Sequence, residues 1–119
     1  MTLDELVAFQ EDFDSRHEGY FRWNSQITND NIDMLEFLIV SLTGEVGETA
    51  NIVKKIARGD CLLEEKRNEL QEEIADIFIY LLKMSYQMDI NLEEAYLNKM
   101  RKNQERFQRY EKRIEEITS

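Results

Sequence analysis

The sequence predicts an all-α fold of the four-helix-bundle type, completed by oligomerisation. Three observations carry that expectation. The 119 residues contain no proline and only four glycines, and apolar residues recur at helical rather than strand spacing. One domain, taken as residues 1–119, suits a chain of this length, which leaves no room for a second core of ordinary size.

The first helix opens on Thr2 and Glu5, a T-x-x-E capping box followed by Leu3, Leu6, Val7, Phe9 and Phe13 at roughly helical spacing. Residues 15–31 lose that periodicity and read as an aromatic-rich connection. Asp30 or a neighbour caps a second helix running to about residue 58, with Lys54, Lys55 and Arg58 in its last turns and Gly59 ending it. A third helix spans roughly 62–88. Asn91 with Glu94 forms another capping box and starts the fourth. In the third helix, Ile74–Leu82 is apolar at every position but Asp76, so it should be buried on several sides. Along the fourth, Tyr96, Met100, Asn103, Phe107, Tyr110, Ile114 and Ile117 alternate steps of four and three, a coiled-coil-like seam. A second copy of the chain is the economical cover for both surfaces, which predicts a homodimer or homotetramer.

Composition narrows the function. A net charge of −10 argues against stable nucleic-acid binding, which needs an excess of Lys and Arg over phosphate. The charge is uneven: residues 1–98 hold 21 acids and 8 bases, residues 99–119 hold 4 acids and 7 bases. No apolar run approaches the ~18–20 residues of a membrane span, and the acidic N-terminus is unlike a signal peptide. The single cysteine, Cys61, has no partner for a disulfide or a zinc motif, which fits a reducing cytoplasm.

Acidic pairs three residues apart are common here: Glu11/Asp14, Asp30/Asp33, Asp33/Glu36, Glu45/Glu48, Glu69/Glu72 and Glu73/Asp76. Those with apolar surroundings are informative, because an unpaired carboxylate there is costly. At ~100° per residue, with Glu45 as zero, Leu38 and Ile56 project at about 20° and Ile52 at about 340°. Glu45 therefore falls inside an apolar stripe, with Glu48 at its margin. Gly44 and Gly47 flank Glu45 and suggest close approach by another backbone or a ligand. On the third helix, Glu69, Glu72 and Lys83 read as a solvated stripe, whereas Asp76 sits between strongly apolar neighbours. Four carboxylates near one point repel unless a cation neutralises them, and oxygen-only ligands suit Mg²⁺, with Mn²⁺ as a substitute, rather than Zn²⁺.

Gly44-Glu45-Val46-Gly47-Glu48, followed by Glu73-Ile74-Ala75-Asp76-Ile77 and the apolar run IFIYLL, closely resembles the E-x-x-E…E-x-x-D signature of MazG-type nucleotide pyrophosphohydrolases. Lys99-Met100-Arg101-Lys102-Asn103 resembles the K-x-x-x-N element of that family's last helix. The resemblance implies all-α dimers or tetramers that cleave nucleoside triphosphates between the α- and β-phosphates, giving a monophosphate and pyrophosphate, often as nucleotide-pool house-cleaning. By position it implies that Glu45, Glu48, Glu73 and Asp76 are Mg²⁺ ligands and that Lys99 and Asn103 bind phosphate or sugar. Asn103 also reads as a register-setting polar residue in an apolar seam.

The chemistry suits the residues. Phosphoryl transfer asks chiefly for positioning and charge neutralisation. Glu48, nearer solvent, is placed to act as general base on the attacking water. Lys99, and behind it Lys54, Lys55 or Arg106, can neutralise the departing pyrophosphate. Trp23, with Tyr20 and Phe21, offers a surface for stacking on a base, against the alternative of plain packing. His17, the only histidine, reads as a solvated surface residue. Two other functions compete: a phosphoribosyl-ATP pyrophosphohydrolase of the same helical superfamily, and a non-catalytic acidic interaction module. The module explains the charge but not carboxylates on apolar faces.

Overall fold

In the computed structural model, the described residues are 1–17 and 25–118, with the side chains of 114, 115 and 118 outside the description. Four helices follow one another: α1 (Leu3–Ser15), α2 (Ile32–Ala57), α3 (Leu63–Gln87) and α4 (Leu92–Thr118). A 3₁₀ turn over Asn29–Asn31 leads into α2, and there is no strand among the described residues.

The caps follow from local chemistry. Thr2 Oγ1 accepts from the Glu5 amide at 3.2 Å, and Asn91 Oδ1 accepts from the Glu94 amide at 3.0 Å. The N-cap residue of α2 is Asn31, a neighbour of Asp30 as expected, but its side chain makes no cap bond to α2. Thr28 closes a capping box with Asn31 instead, because a 3₁₀ turn precedes the α-helix and moves the side-chain cap upstream. Gly59 (φ 86°) ends α2 as expected: its amide bonds the Ile56 carbonyl and the Asp60 amide bonds that of Lys55. Asp89 (φ 55°) ends α3 in the same way, through Asp89–Tyr86 and Ile90–Ser85 amide–carbonyl bonds.

The α2–α3 hairpin is the centre of the molecule, with α1 packed on α3 and α4 on α1. Leu38 and Ile52 of α2 and Leu82, Met84 and Tyr86 of α3 form the buried apolar core. Each such side chain, fully buried, contributes about 1.5–3 kcal/mol. The bundle stays open. The radius of gyration is 19.1 Å, against about 13.5 Å for a compact chain of this length.

Burial within one chain is partial, and it departs from the sequence reading at Lys83. Ile74, Phe78 and Leu81 are exposed, since α3 has helices on only part of its circumference. On α1, Phe9 and Phe13 point outwards, while Gln10 and Asp14 are buried against α3. Lys83 is not solvated: its side chain is only 15% exposed and pairs with Asp14 at 3.4 Å. His17 is exposed as expected and stacks on Phe13.

Candidate metal centre

On α2, Leu38 and Ile52 lie seven residues either side of Glu45, and both are buried. That spacing, two helical turns each way, puts Glu45 on the face that meets α3. Its side chain is half-buried, while Glu48, one turn on, is exposed. The hairpin register supplies the other half. The turn after α2 centres near Asp60, so residues about fifteen positions either side come level. Glu45 is thereby brought opposite Glu73 and Asp76.

One carboxylate oxygen from each of Glu45, Glu73 and Asp76 lies within 4.8 Å of the others. Glu73 is the most constrained of the three. Its Oε2 is shut off from solvent and has no hydrogen-bond partner among the described residues. With all the carboxylates ionised, acceptor faces acceptor and no donor is at hand. Protonation relieves this, and the Glu73 carboxyl is accordingly held above the ordinary carboxylate range. The largest cause is a hydrogen bond to Glu45 that favours the protonated form, followed by burial and the negative charges of Glu45 and Asp76. Glu48, nearby on α2 but not one of the three converging carboxylates, acts in the opposite direction. A divalent cation relieves the same repulsion without a proton. The all-oxygen donor set fits Mg²⁺ or Mn²⁺, which take a few carboxylates and leave positions for water and phosphate.

The remaining sequence candidates are not gathered here. Lys55 is exposed in the last turn of α2, about 15 Å along the helix from Glu45. Lys99 is exposed and Asn103 half-buried on α4, and the cluster draws its ligands from α2 and α3 alone. Asn103 instead lines an open groove of about 440 Å³ along α4 with Met100 and Phe107. Trp23, Tyr20 and Phe21 lie outside the described residues. Among the described residues, a Cβ on Gly44 or Gly47 would meet nothing within 4 Å.

Sequence reasoning missed a second polar cluster, between α1 and α3. Asp14 is 2% exposed. It accepts hydrogen bonds from Gln10 Nε2 (3.0 Å) and from the Tyr86 hydroxyl, and it pairs with Lys83. Burial, then the Asp14 carboxylate, pushes the Tyr86 phenol well above its usual value. A signal for this existed. Leu3, Val7, Gln10 and Asp14 step by four, three and four along one face, so two polar residues occupy core positions.

Comparison with known proteins bears on the same residues. Residues 34–110, well over half the chain and including all four carboxylates, match the MazG nucleotide pyrophosphohydrolase domain. The Gene 37 protein of Mycobacterium phage L5 is 35% identical over 82 residues, covering 65% of this chain and 72% of that protein. The dCTP pyrophosphatase 1 proteins of Rattus norvegicus and Mus musculus are each 31% identical over 74 residues, 59% of this chain. The chain spans only 44% of the length of those two mammalian proteins. No solved structure matches. No helix among the described residues is long and apolar enough to cross a membrane. On the extent of the domain match, and on the two carboxylate pairs it encloses, the chain belongs to the MazG nucleotide pyrophosphohydrolase family.

Proposed function

We propose that this protein is a Mg²⁺-dependent nucleoside triphosphate pyrophosphohydrolase that yields a nucleoside monophosphate and pyrophosphate, acting in cytoplasmic nucleotide-pool house-cleaning. The observation that carries the reading is the convergence of Glu45, Glu73 and Asp76, with one Glu73 oxygen buried and unpartnered. Such an arrangement is costly in an empty scaffold and useful around a cation.

Glu45, Glu73 and Asp76 hold the ion, with Glu48 completing the set from the margin. When bound, Mg²⁺ supplies charge neutralisation at the phosphate oxygens and makes a coordinated water more acidic. Glu48, exposed one turn on from Glu45, accepts the proton of the attacking water and orients it. Lys99 and Asn103 bind the phosphates or sugar.

A second copy of the chain brings Lys99 and Asn103 to the cluster. Ile39, Val46 and Val53 recur every seven residues on α2 and are each nearly half exposed, and Ile74 and Leu81 on α3 are exposed too. Covering them with another α2–α3 hairpin closes the bundle and carries the partner's α4 with it. Mn²⁺ substitutes for Mg²⁺, and Trp23 offers the base a stacking surface.

The dCTP pyrophosphatase relatives make dCTP the first nucleotide to test. Product analysis on a panel of ribo- and deoxyribonucleoside triphosphates, with phosphoribosyl-ATP beside them, separates the readings. Monophosphate and pyrophosphate from a free triphosphate support the proposal. Turnover of phosphoribosyl-ATP alone would make the site that of a phosphoribosyl-ATP pyrophosphohydrolase, and no turnover at all would favour an acidic interaction module.

A further inference from the structure

The open groove of about 440 Å³ along α4 is lined unlike a plain helix–helix seam. Met100 and Phe107 give it an apolar floor, and Asn103, Gln104, Gln108 and Glu111 supply the rest. Among the described residues, those four polar side chains have no hydrogen-bond or ion-pair partner. Phe107 is 63% exposed, so much of its ring is open to a ligand. An apolar surface with a few hydrogen-bonding groups, in a volume of this order, is the make-up of a small-molecule site.

Charge is divided across α4 at this point. A second groove, of about 330 Å³, shares Asn103 and Phe107 with the first and adds Arg106 and Tyr110. Lys99, Asn103 and Arg106 follow at steps of four and three, so they share one stripe. Asn103 and Phe107 thus form a ridge, with cations on one side and amides and a carboxylate on the other. The Tyr110 ring lies 6.4 Å from that of Phe107, tilted by 51°, and braces it from the basic side. A nucleotide has the same division, with an anionic chain at one end and a flat, neutral, hydrogen-bonding base at the other. An apolar helix laid in the groove would bury these polar groups without partners, whereas a base brings donors and acceptors of its own.

We propose that the α4 groove is the base subsite of the nucleoside triphosphate. Phe107 stacks on the base, and Gln104 and Gln108 hydrogen-bond its edge. Asn103 takes the sugar on the ridge, and the Lys99–Arg106 stripe holds the phosphates. Glu111 is a carboxylate and only accepts, so the groove favours a base that donates from an exocyclic amino group, such as cytosine, over one that presents a carbonyl there, such as uracil. The inference rests on the pyrophosphohydrolase reading and on its assignment of Lys99 and Asn103.

The test is steady-state hydrolysis of dCTP and dUTP by the full chain in Mg²⁺, with inorganic pyrophosphate as a base-free inhibitor, for wild type, Phe107→Leu and Glu111→Gln. Leucine keeps an apolar side chain at an exposed helical position, and light scattering follows the assembled mass. Loss of the stacking face in Phe107→Leu should raise KM for both nucleotides about tenfold, while inhibition by pyrophosphate holds. Wild type should prefer dCTP, and Glu111→Gln should erase that preference. An unchanged KM in Phe107→Leu, or a dCTP-to-dUTP ratio that Glu111→Gln does not lower, would overturn the proposal. Pyrophosphate inhibition lost in step with nucleotide affinity, or a smaller assembled mass, would also overturn it and give the groove to a second copy. Wild type that hydrolyses no triphosphate would overturn the pyrophosphohydrolase reading, and this subsite with it.

Discussion

Glu73 of α3 lies against Glu45 of α2 with its Oε2 buried and unpartnered, so the protein places two carboxylates where neither supplies a donor to the other. Folding brings them together through the register of one hairpin, and the chain gains nothing from the contact unless a proton or a cation joins it.

Glu73→Gln tests that strain directly. The amide supplies the missing donor, so the metal-free variant should melt higher than metal-free wild type. The same change removes a ligand and should reduce hydrolysis by about 100-fold or more. Paired melting curves and rates check both; a variant less stable and still active would deny the strain and the role together.

The raised Glu73 pKa also sets a pH dependence. Between its unfolded value and the higher folded one, the folded chain binds more protons, so stability falls as pH rises through that window. In EDTA, wild type should therefore lose melting temperature relative to Glu73→Gln on going from acid to neutral pH. With Mg²⁺ the difference should shrink, because the cation replaces the proton, and Mg²⁺ should bind more weakly at the acid end. Melting scans across pH, with and without Mg²⁺, measure it.

Tyr86→Phe removes one donor from buried Asp14 and leaves Gln10 and Lys83 in place. A hydrogen bond to a charged group contributes about 1.5–3 kcal/mol, and urea unfolding should show a loss in that range. The metal centre lies elsewhere on α3, so Mg²⁺ affinity should be nearly unchanged.

How legible all this was in the sequence depends on which force decided each feature. Helix ends at Gly59 and Asn91 are set by local caps, and they fall where the residues put them. Glu45 was legible because its neighbours at seven-residue spacing, Leu38 and Ile52, are apolar and do become buried. Asp14 was not, because its burial depends on α1 meeting the far end of α3, a contact between residues 72 positions apart. Lys83 was misread as solvated for the same reason: its partner sits on another helix. The exposure of Ile74 and Leu81 shows what one chain leaves open.

If Lys99 reaches the cluster of a second copy, two inactive variants should complement one another. A Glu45→Gln chain mixed with a Lys99→Ala chain and reassembled should regain about a quarter of wild-type activity, the statistical share of intact composite sites in a dimer. If Lys99 serves its own chain, the mixture stays as inactive as its components. Light scattering on wild type, and on an Ile39→Glu/Val53→Glu variant, should give a multiple of the 14.3 kDa chain mass for the first and a single chain for the second.

One rate measurement decides whether the α2–α3 carboxylates form a working metal centre. Hydrolysis of dCTP and the other triphosphates is followed in Mg²⁺ for wild type, Glu45→Gln and Asp76→Asn, all confirmed as folded. The expected result is monophosphate and pyrophosphate from the wild type, abolished by EDTA and lost in both variants. Undiminished turnover in the two variants, or in EDTA, would contradict it.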